Sequence, residues 1–169
     1  MMKERKVGKR KLFLMAALLA AGSFVAGCGD NDSSNTFVYS SWTPAHAPNN
    51  RDGTIPLFEE IETETAGTED EIEFRNFMSG QLLSAVTTLT GVRDGVADAG
   101  FVSPSYFPAE LKYHVTLAEM QALSDNGFAA AAAGTETLLK HCPECIEEYD
   151  DQNIMPLGVY STTSFHLMC

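Results

Sequence analysis

Thr36-Phe37-Val38-Tyr39-Ser40-Ser41-Trp42 and, further along, Glu71-Ile72-Glu73-Phe74-Arg75-Asn76 are the two runs whose reading decides the fold. The first is short, β-branched and aromatic, and the second alternates apolar and polar residues with period two, so both read as strands. Residues 54–66 between them read as a helix. Pro56 is tolerated only in its first turn, Leu57, Phe58 and Ile61 share one face, and Glu59, Glu60, Glu62 and Glu64 cover the other. Gly67 ends it. A strand, a helix and a second strand predict a βαβ unit, and therefore an α/β fold with a parallel sheet covered by helices.

The pattern continues outward. Ser79-Gly80 marks a turn, and Leu82, Val86 and Leu89 recur at helical spacing up to Gly95, predicting a helix over 82–95. Residues 97–102 are apolar enough for a buried strand, and Ser103-Pro104-Ser105-Tyr106-Phe107-Pro108 is the loop that stops it. From there to Gln152 the chain reads as mostly helical, including the alanine run 129–133 and residues 136–149, before a further strand over 154–160. Ligands of open parallel sheets bind outside the carboxyl ends of the strands. That rule nominates residues 42–48, residues 103–108 and the residues after Tyr160. No segment has the spacing of a phosphate loop or a dinucleotide fingerprint, and no Ser-His-Asp set or directed carboxylate pair suggests an enzyme.

Charge divides the chain in two. The 169 residues carry a formal charge of −12, yet six of the eleven basic residues lie in the first eleven positions. From residue 28 onward, 5 basic residues face 22 acidic ones, which speaks against nucleic-acid binding. Residues 1–11 form a cationic region and residues 12–21 (LFLMAALLAA) an apolar run too short to span a bilayer, so residues 1–27 read as a signal peptide. Val25-Ala26-Gly27-Cys28 resembles a bacterial lipobox, with Cys28 as the acylated residue. The expected product is a periplasmic or otherwise extracytoplasmic protein, lipid-anchored to the membrane. Residues 28–35 would be its flexible tether and residues 36–169 its folded part.

Trp42-Thr43-Pro44-Ala45-His46-Ala47-Pro48, Phe77-Met78-Ser79-Gly80-Gln81-Leu82, Val92-Arg93-Asp94-Gly95-Val96-Ala97-Asp98-Ala99-Gly100 and the 103–108 loop follow one another in a familiar order. Together they resemble the N-terminal half of the solute-binding proteins of TRAP transporters, the dicarboxylate-type family. The resemblance implies the N-terminal lobe of a two-lobed, periplasmic-binding-protein-like fold of type II. It implies a small organic acid as ligand, and delivery of that solute to a TRAP membrane permease. Members of the family are longer, so the chain is expected to be incomplete and to stop before the second lobe. The arginine that pairs with the ligand carboxylate would lie downstream, and Arg51, Arg75 and Arg93 do not occupy its place.

Within the nominated segments, Trp42 offers a flat wall against which a solute can stack. Ser103 and Tyr106 offer hydroxyl donors. Thr162 and Phe165 fall in a segment that the family uses to line its cleft. No cofactor and no resident metal are expected.

The Cys142-Pro143-Glu144-Cys145 motif admits three readings. One is a structural disulfide from Cys145 or Cys142 to Cys169, with Cys145–Cys169 favoured because an exported chain meets an oxidising compartment. The second is a redox Cys-x-x-Cys at a helix start. The third is a zinc set completed by His166 and Cys169.

Overall fold

The computed structural model describes residues 35–121 and 123–162. The leader, Cys28, Phe165, His166 and Cys169 lie outside the described residues. Three parallel strands form the sheet: β1 (Asn35–Ser40), β2 (Ile72–Phe77) and β3 (Ala99–Gly100), in the order β2-β1-β3. The chain thus steps from β1 to one side and then crosses back to the other. With right-handed crossovers the connections fall on opposite faces of the sheet.

Alternation along β1 agrees with this. Helix α1 (Ile55–Thr65) packs its buried Phe58 on the face carrying Phe37, Tyr39 and Phe74. Phe58 stacks on Phe74 with ring centroids 3.9 Å apart and meets Tyr39 edge-on at 5.2 Å. Ser40, pointing the other way, accepts a hydrogen bond from the Leu83 amide on its Oγ at 3.2 Å. β2 is an edge strand, and Glu62 of α1 accepts from its Phe74 amide at 2.7 Å, occupying a donor that an edge would otherwise offer to another chain.

The strand over 97–102 is shorter than its sequence suggests. Only Ala99 and Gly100 pair with β1, because Asp98 spends its side chain on the ladder: its Oδ2 accepts from the Val38 amide at 2.8 Å. Gly100 is required there, since a Cβ would stand 2.6 Å from Thr88 Cγ2. The helix over 82–95 shrinks to α2 (Thr88–Arg93). The Thr87 and Thr88 hydroxyls bond the backbone of Ser84 instead, Thr87 Oγ1 also accepting from the Ser84 amide, the usual way such residues compete with a helix.

Beyond the loop and a single 3-10 turn (Pro104–Tyr106) come α3 (Lys112–Gln121), α4 (Gly127–Glu136) and α5 (Pro143–Asp150). The Asn126 side chain caps α4 by accepting from the Ala129 amide. A wide π-type turn (Thr137–His141) then breaks the continuous helix expected over 136–149, and Pro143, which has no N–H, restarts it as α5. Leu89, Phe107, Leu111, Leu138, Cys145 and Tyr149 form the buried cluster that joins these helices to the sheet. Residues 154–160 are not a strand. They run past α4, with the Val159 amide donating to Thr135 Oγ1 at 2.9 Å and Thr162 lying against Gly127.

α5 is tied to α3 by polar contacts. Glu148 accepts from the amides of Tyr113 and His114, and buried His114 Nδ1 lies 2.7 Å from the Tyr149 hydroxyl. Burial lowers the His114 pKa, opposed by the nearby Glu148 carboxylate. Burial, reinforced by Glu148, raises that of Tyr149. A depressed histidine contributes stability that is complete above the unfolded value, about 6.5, and is lost as pH falls through the folded value. Melting temperature should therefore fall on acidification below about pH 6.5, ahead of the carboxylate range near 4. His114→Gln should flatten that upper part of the profile; an unchanged slope in thermal melts of the variant would refute the assignment.

Candidate functional site

Three loops leave the carboxyl edge of the sheet, and hydrogen bonds lock the first two together. The Ser41 amide donates to Phe77 O, Ser79 to Thr43 O and Gly80 to Ser41 O, at 2.8, 3.0 and 3.1 Å. This crossover needs two successive left-handed residues, Ser79 (φ 57°) and Gly80 (φ 72°), which is the physical content of the Ser-Gly-Gln-Leu turn.

Asn50, fully buried, fixes the loop after β1 from beneath. Its Nδ2 lies within 3.2 Å of Ser41 Oγ, Thr43 O, Thr43 Oγ1 and Pro44 O, while its Oδ1 accepts from Asn49 Nδ2.

Held in this way, Trp42 reaches across the edge. Its indole Nε1 donates to Phe101 O at 3.0 Å, and its ring stacks on Phe101 (centroids 5.6 Å, interplanar angle 27°). Tyr106 stands edge-on to Trp42 at 5.9 Å, and Tyr160 edge-on to Phe101 at 6.0 Å. The result is a shelf of four aromatic rings along the ends of β1 and β3. Trp42 and Phe101 are half-buried, whereas Tyr106 and Tyr160 keep 48% and 41% of their surface exposed, so the shelf can still cover a planar group. Among the described residues the hydroxyls of Ser103, Tyr106 and Tyr160 have no hydrogen-bond partner, which leaves them able to bond a ligand oxygen.

Among the described residues no arginine completes this set. Arg51 and Arg93 pair with their neighbours Asp52 and Asp94 at the surface, and Arg75 lies over the Phe77 ring. Each of those aspartates is held below its usual pKa by the adjoining guanidinium.

The arrangement is similar to parts of larger solved structures. One is a TRAP periplasmic solute-binding protein from Desulfovibrio salexigens, at 23% identity and a TM-score of 0.58, covering 68% of this chain and 34% of that one. The described residues share the α/β fold of one part of that structure. Two further structures are of a marine-metagenome TRAP solute-binding protein specific for aromatic acid ligands. One, in complex with metahydroxyphenylacetate, is 22% identical with a TM-score of 0.57, covering 68% of this chain and 35% of that one. The other, with 3-hydroxybenzoate, is 21% identical with a TM-score of 0.58, covering 69% and 35%. The chain spans about a third of the length of these proteins. No family model matches the sequence, and no curated protein does.

Of the nominated residues, the structure brings Trp42 and Tyr106 into contact and places Ser103 in the same loop as Tyr106, its carbonyl accepting from the Tyr106 amide at 3.1 Å. Thr162 is not part of the shelf: its carbonyl lies beside Gly127 at the start of α4. Phe165 lies outside the described residues. Phe101, just after β3, and Tyr160, in the extended run past α4, are additional members of the shelf that fall within segments expected to be strands.

Cys145 is bonded to Cys142, not to Cys169. Pro143 opens α5 between the two cysteines and brings their Cα atoms to 5.2 Å, so local geometry prevails over the longer loop closure. Among the described residues no group of three or more His, Cys, Asp or Glu could hold a metal, and no helix is long and apolar enough to cross a membrane.

Proposed function

We propose that this chain is the first lobe of an extracytoplasmic receptor of the TRAP type. In this reading it captures a small carboxylate-bearing solute and passes it to a membrane permease, held at the membrane by a lipid on Cys28. The observation that carries the reading is the aromatic shelf at the carboxyl edge, where this class of sheet binds ligands. The shelf suits an aromatic ring better than a flexible aliphatic chain, because a flat solute can stack on one of these rings while its edge meets a ring set perpendicular to it. The aromatic acids bound by two of the similar structures support that choice. Ser103, Tyr106 and Tyr160 would bond ring hydroxyl or carboxylate oxygens. The charged half of the recognition would come from a second lobe, whose closure would expel water from between the two.

Isothermal titration with 3-hydroxybenzoate, phenylacetate and succinate tests this. Without a cationic clamp, a dissociation constant around 1 mM is expected for the aromatic acids, about −4 kcal/mol, and weaker binding for succinate. Succinate binding as tightly as the aromatic acids would count against a stacking site.

A further inference from the structure

We propose that the Cys142–Cys145 bond is a thiol–disulfide exchange site, with Cys142 the sulfur that a partner thiolate attacks. Cys145 has no exposed surface and packs with Leu138 and Tyr149 in the central cluster. Cys142 is half-buried and lines the wall of a hollow of about 430 Å³ formed with Leu139, Lys140, Pro143, Ile146 and Glu147. One sulfur of the pair is therefore open to a reagent and the other is closed. Cys142 is also the N-cap of α5, and its Sγ accepts the Cys145 amide at 3.2 Å, an environment that stabilises a thiolate on that sulfur.

The bond is poorly placed to act as a staple. Stabilisation by a disulfide grows with the loop it closes, and this loop is among the shortest possible. The helix behind it is already fastened, through Glu148 to the α3 amides and through Tyr149 to His114.

The chemistry is balanced by the partner. A thiolate attacks Cys142 Sγ, a mixed disulfide forms, the Cys142–Cys145 bond breaks, and Cys145 leaves as a thiolate that takes up a proton. A second thiol of the same partner then displaces Cys142. The partner dithiol is oxidised by two electrons and the protein gains two thiols. This inference does not depend on the solute reading.

The test uses the full oxidised chain, with alkylation of native protein followed by peptide mass analysis to keep Cys28 and Cys169 distinct. Dithiothreitol and a thioredoxin-type protein dithiol form two arms. Reduction of Cys142–Cys145 with unchanged near-UV circular dichroism, in either arm, supports the site. Efficient reduction by the protein dithiol at micromolar concentration assigns it to a protein partner, and reduction by dithiothreitol alone to small thiols. In Cys145→Ser, the Cys142 thiolate should exchange with oxidised glutathione, forming the mixed disulfide and releasing one glutathione thiolate, at least about 100-fold faster than Cys145 does in Cys142→Ser. A bond that resists both reductants until urea unfolds the chain, or equal native labelling of the two cysteines, would overturn the proposal. Should either variant fail to fold, the wild-type reduction experiment alone decides.

Discussion

Asn50→Leu is expected to destabilise the protein by about 3 kcal/mol, because leucine fills the space but leaves several buried polar groups without partners. Asn50 has no exposed surface. Its amide serves Ser41, Thr43 and Pro44, and its carbonyl oxygen lies 3.4 Å from the Tyr39 hydroxyl. Each buried donor or acceptor stranded by the substitution costs on the order of 1–3 kcal/mol, which repacking of an aliphatic side chain offsets only in part. Urea unfolding should show a lower midpoint with an unchanged slope. The same loop carries Trp42, so solute affinity should drop together with stability. A loss below about 1 kcal/mol would mean that Asn50 does not organise the loop.

Trp42→Ala is expected to weaken binding of an aromatic acid by roughly 10- to 100-fold, since it removes both the apolar area under the ring and the stacking geometry. The larger figure corresponds to about 2.8 kcal/mol. Trp42→Phe should retain most of the affinity, since it keeps a flat wall while losing only the indole bond to Phe101 O. Thr162→Ala should change little, because that residue sits against the start of α4 and away from the four rings. Equal losses for Trp42→Ala and Thr162→Ala would point to a site elsewhere. Trp42 is the only tryptophan in the chain, so its fluorescence gives a second, independent reading of the wild-type interaction.

The sequence made the sheet legible for particular reasons. The alternation in 71–76 and the aromatic run at 36–42 are strong period signals, and both became paired strands. The carboxyl-edge rule then placed Trp42 and Tyr106 near one another with no geometric information. What could not be read was local competition. Asp98 bonding the ladder through its side chain shortened β3, and the hydroxyls of Thr87 and Thr88 bonding the Ser84 backbone cut back a helix whose apolar spacing was otherwise sound. The cysteine pairing failed for a similar reason. Loop-closure entropy favours distant partners, while a proline that begins a helix between two cysteines decides the matter over a few ångströms. Phe101 and Tyr160 escaped notice because membership of the shelf depends on how residues 154–162 run past α4 and back to β3, a long-range placement that no local pattern encodes.

The claim on which the account rests is that solute stacks on the shelf formed by Trp42, Phe101, Tyr106 and Tyr160. A single tryptophan gives a single indole N–H resonance, which makes titration with 3-hydroxybenzoate followed by NMR the most direct measurement. The Trp42 indole resonance should shift together with those of Tyr106 and Tyr160, along one saturation curve. An unmoved indole, with shifts confined to the hollow along α4 around Ala131, Thr135 and Leu139, would contradict it.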